Sequence, residues 1–209
     1  MLIVRWAPIR ELEKIPPFQG ELAEHLRGRR GRVLHDSCSV WELLYRMLEE
    51  AGLPPGTVAF TETGKPYFEG SGVFFSLSHS KDVCAAAVAD RPVGVDVEIC
   101  RESYNPRLIR RSLTEAELAV FDGDFTRIWC RKEAAGKMTG EGITGFPRKI
   151  ETLHRIYEEQ RIEYGGSRYW LAAVTEDGAV PASPDEERKD ASPQPRAEGA
   201  GNGRDTALP

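Results

Sequence analysis

Two acids stand two residues apart in Gly94-Val-Asp-Val-Glu98, and a third acid stands four residues before a lysine in Trp129-Cys-Arg-Lys-Glu-Ala-Ala-Gly-Lys137. In a strand, alternate side chains share a face, so Asp96 and Glu98 point one way while Val95 and Val97 point into apolar packing. Carboxylates held that close raise one another's pKa unless positive charge lies between them, and hard oxygen ligands at this spacing suit Mg²⁺. In a helix, Trp129, Glu133 and Lys137 fall on one face at four-residue steps, which adds a third carboxylate with a lysine one turn beyond it. Three acids and a lysine are the parts of a site for a metal-bound phosphate. Each half alone also has an ordinary reading: an acid pair on a solvated strand edge, and a helical Glu-Lys salt bridge in its favoured order.

These residues need a strand and a helix to hold them, and the flanking sequence predicts both. Val93 to Ile99 reads as a strand, and Asp124 opens the helix that bears Trp129. Val83 to Ala89 is a small-residue apolar strand, linked to the next by the turn-forming Asp90-Arg-Pro92, so the two are expected to form a hairpin with the acid pair at its far end. Asn105-Pro106 starts a short helix through Leu113, and Thr114-x-x-Glu117 is a capping-box pattern for another. Upstream, Leu2 to Trp6 is a strand ended by Pro8, and Gly20 to Arg30 is a helix. Ser37 to Ala51 is a core helix whose Val40, Trp41, Leu44, Met47 and Leu48 recur at three and four. Val58 to Thr61 and Val73 to Leu77 read as strands around the turn-rich Gly64-Lys-Pro66 and Gly70-Ser-Gly72. Ser78, His79 and Ser80 then fall where a strand meets a turn, with N–H groups, hydroxyls and an imidazole placed to receive phosphate oxygens. Lys149 to Tyr157, Arg161 to Tyr164 and Tyr169 to Thr175 alternate apolar and polar residues, the pattern of an antiparallel meander.

The 209 residues, 40% hydrophobic, suffice for one domain or two small ones with a real core. A net charge of −5 provides no global field for nucleic acid or an anionic membrane. Local basic clusters at Arg27, Arg29, Arg30 and Arg32, and at Arg107, Arg110 and Arg111, offer patches for acidic ligands. Cys38, Cys84, Cys100 and Cys130 lack any Cys-x-x-Cys spacing and read as reduced core thiols rather than zinc ligands. The N-terminus lacks the pattern of a signal peptide, and no apolar run approaches the ~18 residues of a spanning helix, so a cytoplasmic protein is expected. From Glu176 onward, Pro, Ala, Gly, Asp, Glu and Arg dominate, and residues 176–209 are expected to be a disordered tail.

Gly94 to Glu98 followed by Trp129-x-x-Lys132-Glu133-x-x-x-Lys137 resembles the paired signature of the 4′-phosphopantetheinyl transferase superfamily. Phe75-Ser-Leu-Ser-His-Ser80 and Gly64-Lys-Pro66 resemble two further motifs of that family, in the same order. The single-chain layout resembles the surfactin-type (Sfp-type) class rather than the short trimeric holo-acyl-carrier-protein synthases. The resemblance implies an α+β fold: a pseudo-dimer of two similar lobes with antiparallel sheets and packed helices. The N-terminal lobe would span residues 1–92 and the C-terminal lobe, carrying the acids, residues 93–175, in a monomer with coenzyme A in the cleft between them. It implies Mg²⁺ on Asp96, Glu98 and Glu133, coenzyme A contacts from Lys65, Ser78, His79 and Lys137, and catalysis by Glu133 and Lys137. The reaction would move 4′-phosphopantetheine from coenzyme A to a serine of an apo acyl or peptidyl carrier protein, releasing 3′,5′-ADP, with Glu133 acting as base directly or through water. Arg111 to Glu117 would lie near the carrier.

Two positions depart from the pattern. Larger family members hold the 3′-phosphate with a basic residue just before the long helix, where this chain has His35 and Asp36 with Arg32 one turn earlier. A lysine is common where Glu141 stands in Gly140-Glu-Gly142-Ile143. A non-catalytic binder of coenzyme A or of a carrier is the competing class. A Mg²⁺-dependent phosphohydrolase would share the acids and the lysine, but not the Ser-His-Ser and Gly-Lys-Pro motifs.

Overall fold

The computed structural model describes residues 1–9, 18–143 and 147–176; of the tail expected from Glu176 onward, residues 177–209 lie outside the described residues. In chain order the elements are β1 (Leu2–Pro8), α1 (Gly20–Leu26), α2 (Gly31–Glu50), β2 (Thr57–Phe60), β3 (Pro66–Glu69), β4 (Phe74–Ser80), β5 (Val83–Ala89) and β6 (Val93–Ile99). There follow α3 (Pro106–Ser112), α4 (Glu115–Ala119), α5 (Phe125–Thr139), a 3₁₀ turn at Pro147–Lys149, β7 (Glu158–Tyr164) and β8 (Ser167–Thr175). The chain is mixed α+β, and every strand pairing among the described residues is antiparallel.

The sequence Val-Cys-Ala-Ala-Ala-Val-Ala makes β5 thin and apolar on both faces, and it is buried throughout. It therefore sits at the centre of the sheet β1-β5-β4. Its Cys84, Ala86 and Val88 pack beneath α2, against the cluster that includes Trp41, Leu44 and Leu48. Its Val83, Ala85, Ala87 and Ala89 face the other way, onto Val95, Val97, Leu171 and Ala173 of the second sheet, β6-β8-β7. That sheet turns its opposite face, with Trp170, Ala172 and Val174, to Cys130, Ala134 and Met138 of α5. Each large apolar side chain so buried is worth about 1.5–3 kcal/mol. In both sheets the first strand in sequence pairs with the last, the middle strand lies at the edge, and the helices fall between the first strand and the middle one. The hairpin β2-β3 is an addition to the first half.

Several expectations need correction. β5 and β6 do not form a hairpin: β5 pairs with β1 and β4, while β6 crosses into the other sheet to pair with β8. The burial of β5 on both faces leaves its two edges to its own sheet. α2 begins at Gly31, six residues earlier than predicted, so Arg32, His35 and Asp36 lie within it; its first turns are braced by the Arg32–Asp36 ion pair and by Ser37 Oγ donating to Val33 O. α1 stops at Leu26, where Arg27 turns extended. β4 continues through Ser80, three residues beyond the predicted end. A further strand, Pro66–Glu69, lies between the two turn-rich stretches and takes Pro66 from the first of them.

Lys149 to Tyr157 is not a strand: a buried ion pair takes the Ile150 carbonyl and the Thr152 N–H, and the Glu151 carboxylate takes the N–H groups of Leu153 and His154. Glu117 and Lys132, both fully buried, lie 2.7 Å apart. Lys132 Nζ donates to the carbonyls of Pro147 and Ile150, and Glu117 accepts from the N–H and hydroxyl of Thr152. No helix among the described residues is long and apolar enough to cross a membrane.

Candidate active site

Strand β6 and helix α5 bring the two acidic motifs together, and Gly94 sets how closely. A Cβ built on Gly94 would stand 1.8 Å from Ala134 O and 2.6 Å from Met138 N, so only a residue without a side chain lets the helix backbone rest on the strand here. This approach lays Glu133 and Lys137, which adjoin Ala134 and Met138 on α5, over the face of β6 that carries Asp96 and Glu98. α5 is fixed at its start by Asp124, whose carboxylate accepts from Arg127 N and Trp170 Nε1, and at its end by Gly140 in the left-handed region.

Asp96 is 4% exposed. Its Oδ1 accepts from Ser78 Oγ at 2.8 Å and from Lys137 Nζ at 2.7 Å, while its Oδ2 is buried with no hydrogen-bond partner among the described residues. Lys137 thus reaches a strand residue 41 positions away, across the site. Burial, then the charges of Asp96 and Glu133, push the Glu98 carboxyl up to about 7. Burial, then Asp96, raises Glu133 as well. Three carboxyl groups therefore share one poorly solvated space, with Lys137 as the cation that reaches into it. No three His, Cys, Asp or Glu side chains among the described residues stand in a metal-holding arrangement. The donor set still fits a hard dication: oxygen groups only, two of them with raised pKa, and a buried carboxylate oxygen left unpaired beside them.

The other motif residues fall around this group. Lys65, on the β2-β3 turn, donates its ammonium to Met138 O at 2.8 Å, and Thr63 Oγ1 donates to Gly140 O at 3.1 Å, so this turn clasps the C-terminal end of α5. Burial lowers the Lys65 pKa. A cavity of about 250 Å³ lies between, lined by Lys65, Phe75, Leu77, Gly136 and Lys137 among others. His79 is on β4, and its pKa is lowered by desolvation first and also by the positive charges of Lys137, Arg29 and Arg32, with Asp36 opposing. It therefore sits among cations, between the start of α2 and Lys137. Ser78, expected at a turn with its hydroxyl open to a ligand, lies inside β4 and turns that hydroxyl onto Asp96.

Arg29 donates to Ser37 Oγ at 2.5 Å. Arg32 bridges Asp36 and Asp82, each at 3.1 Å, and donates to Lys81 O, so it clamps the β4-β5 turn to α2. Glu141 is exposed. Sequence reasoning missed the close approach at Gly94, the Glu117–Lys132 pair, and the part played by the serines of β4. A glycine inside a strand and serines at period two were the available signals.

Residues 92–180 match the family model described as the 4′-phosphopantetheinyl transferase superfamily, a stretch that contains all three acids and Lys137. The chain is similar to 4′-phosphopantetheinyl transferase HetI of Nostoc sp., 32% identical over 150 residues, which are 63% of this chain and 62% of that protein. It is similar too to 4′-phosphopantetheinyl transferase psf-1 of Bacillus pumilus, 31% identical over 149 residues, 65% of this chain and 64% of that protein. A Haemophilus influenzae relative matches at 29% identity over 134 residues, 57% of this chain and 55% of the relative. The chain thus spans less than two thirds of the length of each of these relatives.

Proposed function

We propose that this chain is a single-chain, surfactin-type member of the 4′-phosphopantetheinyl transferase superfamily. It transfers the 4′-phosphopantetheine group of coenzyme A to a serine of an apo acyl or peptidyl carrier protein. The observation that carries this reading is one coincidence: the stretch that matches the family model also holds the cluster of Asp96, Glu98, Glu133 and Lys137. The lobe division at residues 92 and 93, and a pseudo-dimer of related lobes in one monomeric cytoplasmic chain, are part of the same proposal. The shared strand order of the two sheets supports it.

In the reaction the carrier serine oxygen bonds to the phosphorus that bears the pantetheine arm. The bond from that phosphorus to the adjoining phosphate oxygen breaks, 3′,5′-ADP leaves with the electron pair, and the serine proton passes to a base. Glu133, whose pKa is raised by burial and by Asp96, suits that base directly or through water. Lys137 lines the cavity beside Lys65 and carries positive charge toward the leaving phosphate. Asp96, Glu98 and Glu133 would hold Mg²⁺, which when bound neutralises pyrophosphate charge as the bond breaks. Arg29 and Arg32, two of the cations that lower the His79 pKa, would supply positive potential for the nucleotide's remaining phosphate, and His79, held toward its neutral form, would offer that phosphate a ring N–H.

The test is to incubate the purified protein with coenzyme A, Mg²⁺ and a panel of apo carriers, and to weigh the carriers by intact-mass spectrometry. A phosphopantetheine-sized gain that EDTA removes is expected. Coenzyme A binding with no gain on any carrier would refute the transferase reading in favour of a binding protein. Coenzyme A hydrolysis without an acceptor would refute it in favour of a phosphohydrolase.

A further inference from the structure

The facing edges of β4 and β6 are joined by side chains where a sheet would use main chain. The hydroxyls of Ser76, Ser78 and Ser80 accept the N–H groups of Val95, Val97 and Ile99 at 3.0, 3.3 and 3.1 Å. Successive serines point to one side of the strand and meet successive odd positions of β6, so the three bonds fix a single register between the sheets. Ser76 and Ser78 are 5% and 7% exposed, which makes each hydroxyl costly to remove or leave unpaired.

Ser78 differs from its two neighbours in making a second bond. A hydroxyl carries one proton and two lone pairs. Ser78 Oγ receives the Val97 N–H and donates its own proton to Asp96 Oδ1. Lys137 holds the same carboxylate oxygen, and Oδ2 is left buried and unpartnered among the described residues. The χ2 torsion of an aspartate is broad and roughly two-fold, so without a partner on one oxygen the carboxylate plane is loosely set.

We propose that Ser78 is a positioning residue that anchors one oxygen of Asp96 to the β4-β6 seam and thereby presents the other to a divalent cation. It does so through a hydroxyl that donates to Asp96 and accepts the Val97 N–H. The inference rests on the metal reading proposed above and adds to it the residue that orients its most buried ligand. It also gives the neighbouring serines a different role, in which Ser76 and Ser80 hold register alone.

Mn²⁺ binding to the full chain, measured by calorimetry without coenzyme A or carrier, tests this apart from activity. Ser78→Ala should weaken Mn²⁺ binding roughly 10- to 100-fold, the usual cost of losing a group that orients a ligand. Ser76→Ala, which removes one equivalent seam bond and nothing from Asp96, should leave the affinity unchanged. Ser78→Thr, which keeps the hydroxyl, should recover most of the loss. If the alanine variant fails to fold, Ser78→Cys carries the test, since it fills the same space with only a weak donor. Equal Mn²⁺ affinity in wild type and the Ser78 variants overturns this inference and leaves the metal reading standing. Equal weakening in Ser76→Ala and Ser78→Ala also overturns it, because the seam alone would then account for the loss. A wild-type chain that binds no Mn²⁺ overturns the metal reading and this inference with it.

Discussion

Adding one methyl group at Gly94 should disable the site from a distance. The Cβ of Gly94→Ala would lie 1.8 Å from the carbonyl oxygen of Ala134 and 2.6 Å from the amide nitrogen of Met138. Both are helix backbone, so neither can swing aside as a side chain would. Ordinary contact begins at 3.4 Å, so α5 must retreat by about 1.6 Å at this point. The Lys137–Asp96 contact, 2.7 Å in the native chain, then exceeds hydrogen-bond range, and Glu133 moves off the β6 carboxylates with it. Overpacking a core typically costs about 1–3 kcal/mol, and a clash with backbone belongs at the upper end. Misplacing reacting groups by about 1 Å can cost on the order of 100-fold in rate. Urea unfolding of Gly94→Ala should therefore show a lower midpoint, and kcat/KM for carrier modification should fall about 100-fold under conditions where the variant is still folded. Gly136→Ala gives an internal scale, since its Cβ would meet the Gly142 backbone at 3.0 Å and should cost less. A Gly94→Ala protein with native midpoint and native rate would refute the claim that this close approach assembles the site.

Other perturbations probe separate parts. Asp96→Asn should abolish transfer while preserving the fold, as read by activity and circular dichroism, because it keeps the shape of a group lodged among other carboxyls; an active variant would sink the metal assignment. Lys137→Ala should lower kcat more than it raises KM, the pattern of an interaction made in the transition state, and an unchanged kcat would count against its role. Lys132→Ala leaves Glu117 without its counter-ion in a fully buried position and should destabilise by about 3–5 kcal/mol in urea unfolding. Glu159 tests acid stability. Burial alone would raise its carboxyl, but hydrogen bonds from Arg127 and Arg131 outweigh that and hold it at about 2, against 4.5 as the ordinary value. A depressed folded pKa contributes stability that is complete above about pH 4.5 and is lost as pH falls through about 2. Because Arg127 is partly open to solvent, the contribution is on the order of 2 kcal/mol, and Glu159→Gln should remove that portion of the pH dependence of unfolding.

The site motifs were legible because each carries its own period. Alternation placed Asp96 and Glu98 on one face, and four-residue steps placed Glu133 and Lys137 on another. Partners distant in sequence were not. Nothing local tells that Lys137 reaches Asp96 in preference to its helical neighbour, or that the Ser78 hydroxyl is committed to a residue 18 positions later. The β5-β6 hairpin was a reasonable expectation from Asp90-Arg-Pro92, yet Ala85 and Ala87 make β5 thin enough to be covered on both faces, and the chain passes to a new sheet instead. Lys149 to Tyr157 alternates like a strand, but the buried Lys132 and Glu117 claim the Ile150 carbonyl and the Thr152 amide, and Glu151 claims the next two amides. Glu117 was visible as a capping residue; the bonds made by its other oxygen were not.

The passage from β5 to β6 also describes how the molecule could be divided. A break between Asp90 and Pro92 severs no strand pairing among the described residues, since every ladder lies wholly on one side of it. Each fragment would keep its own sheet and its own outer helix, and would expose one half of the apolar surface shared by Val83, Ala85, Val95 and Leu171. Rejoining them would bring Lys65 and His79 from one fragment to Asp96, Glu133 and Lys137 from the other. The loop that now makes this meeting intramolecular would be replaced by concentration, and the cluster of acids and lysines would assemble only where the two fragments met.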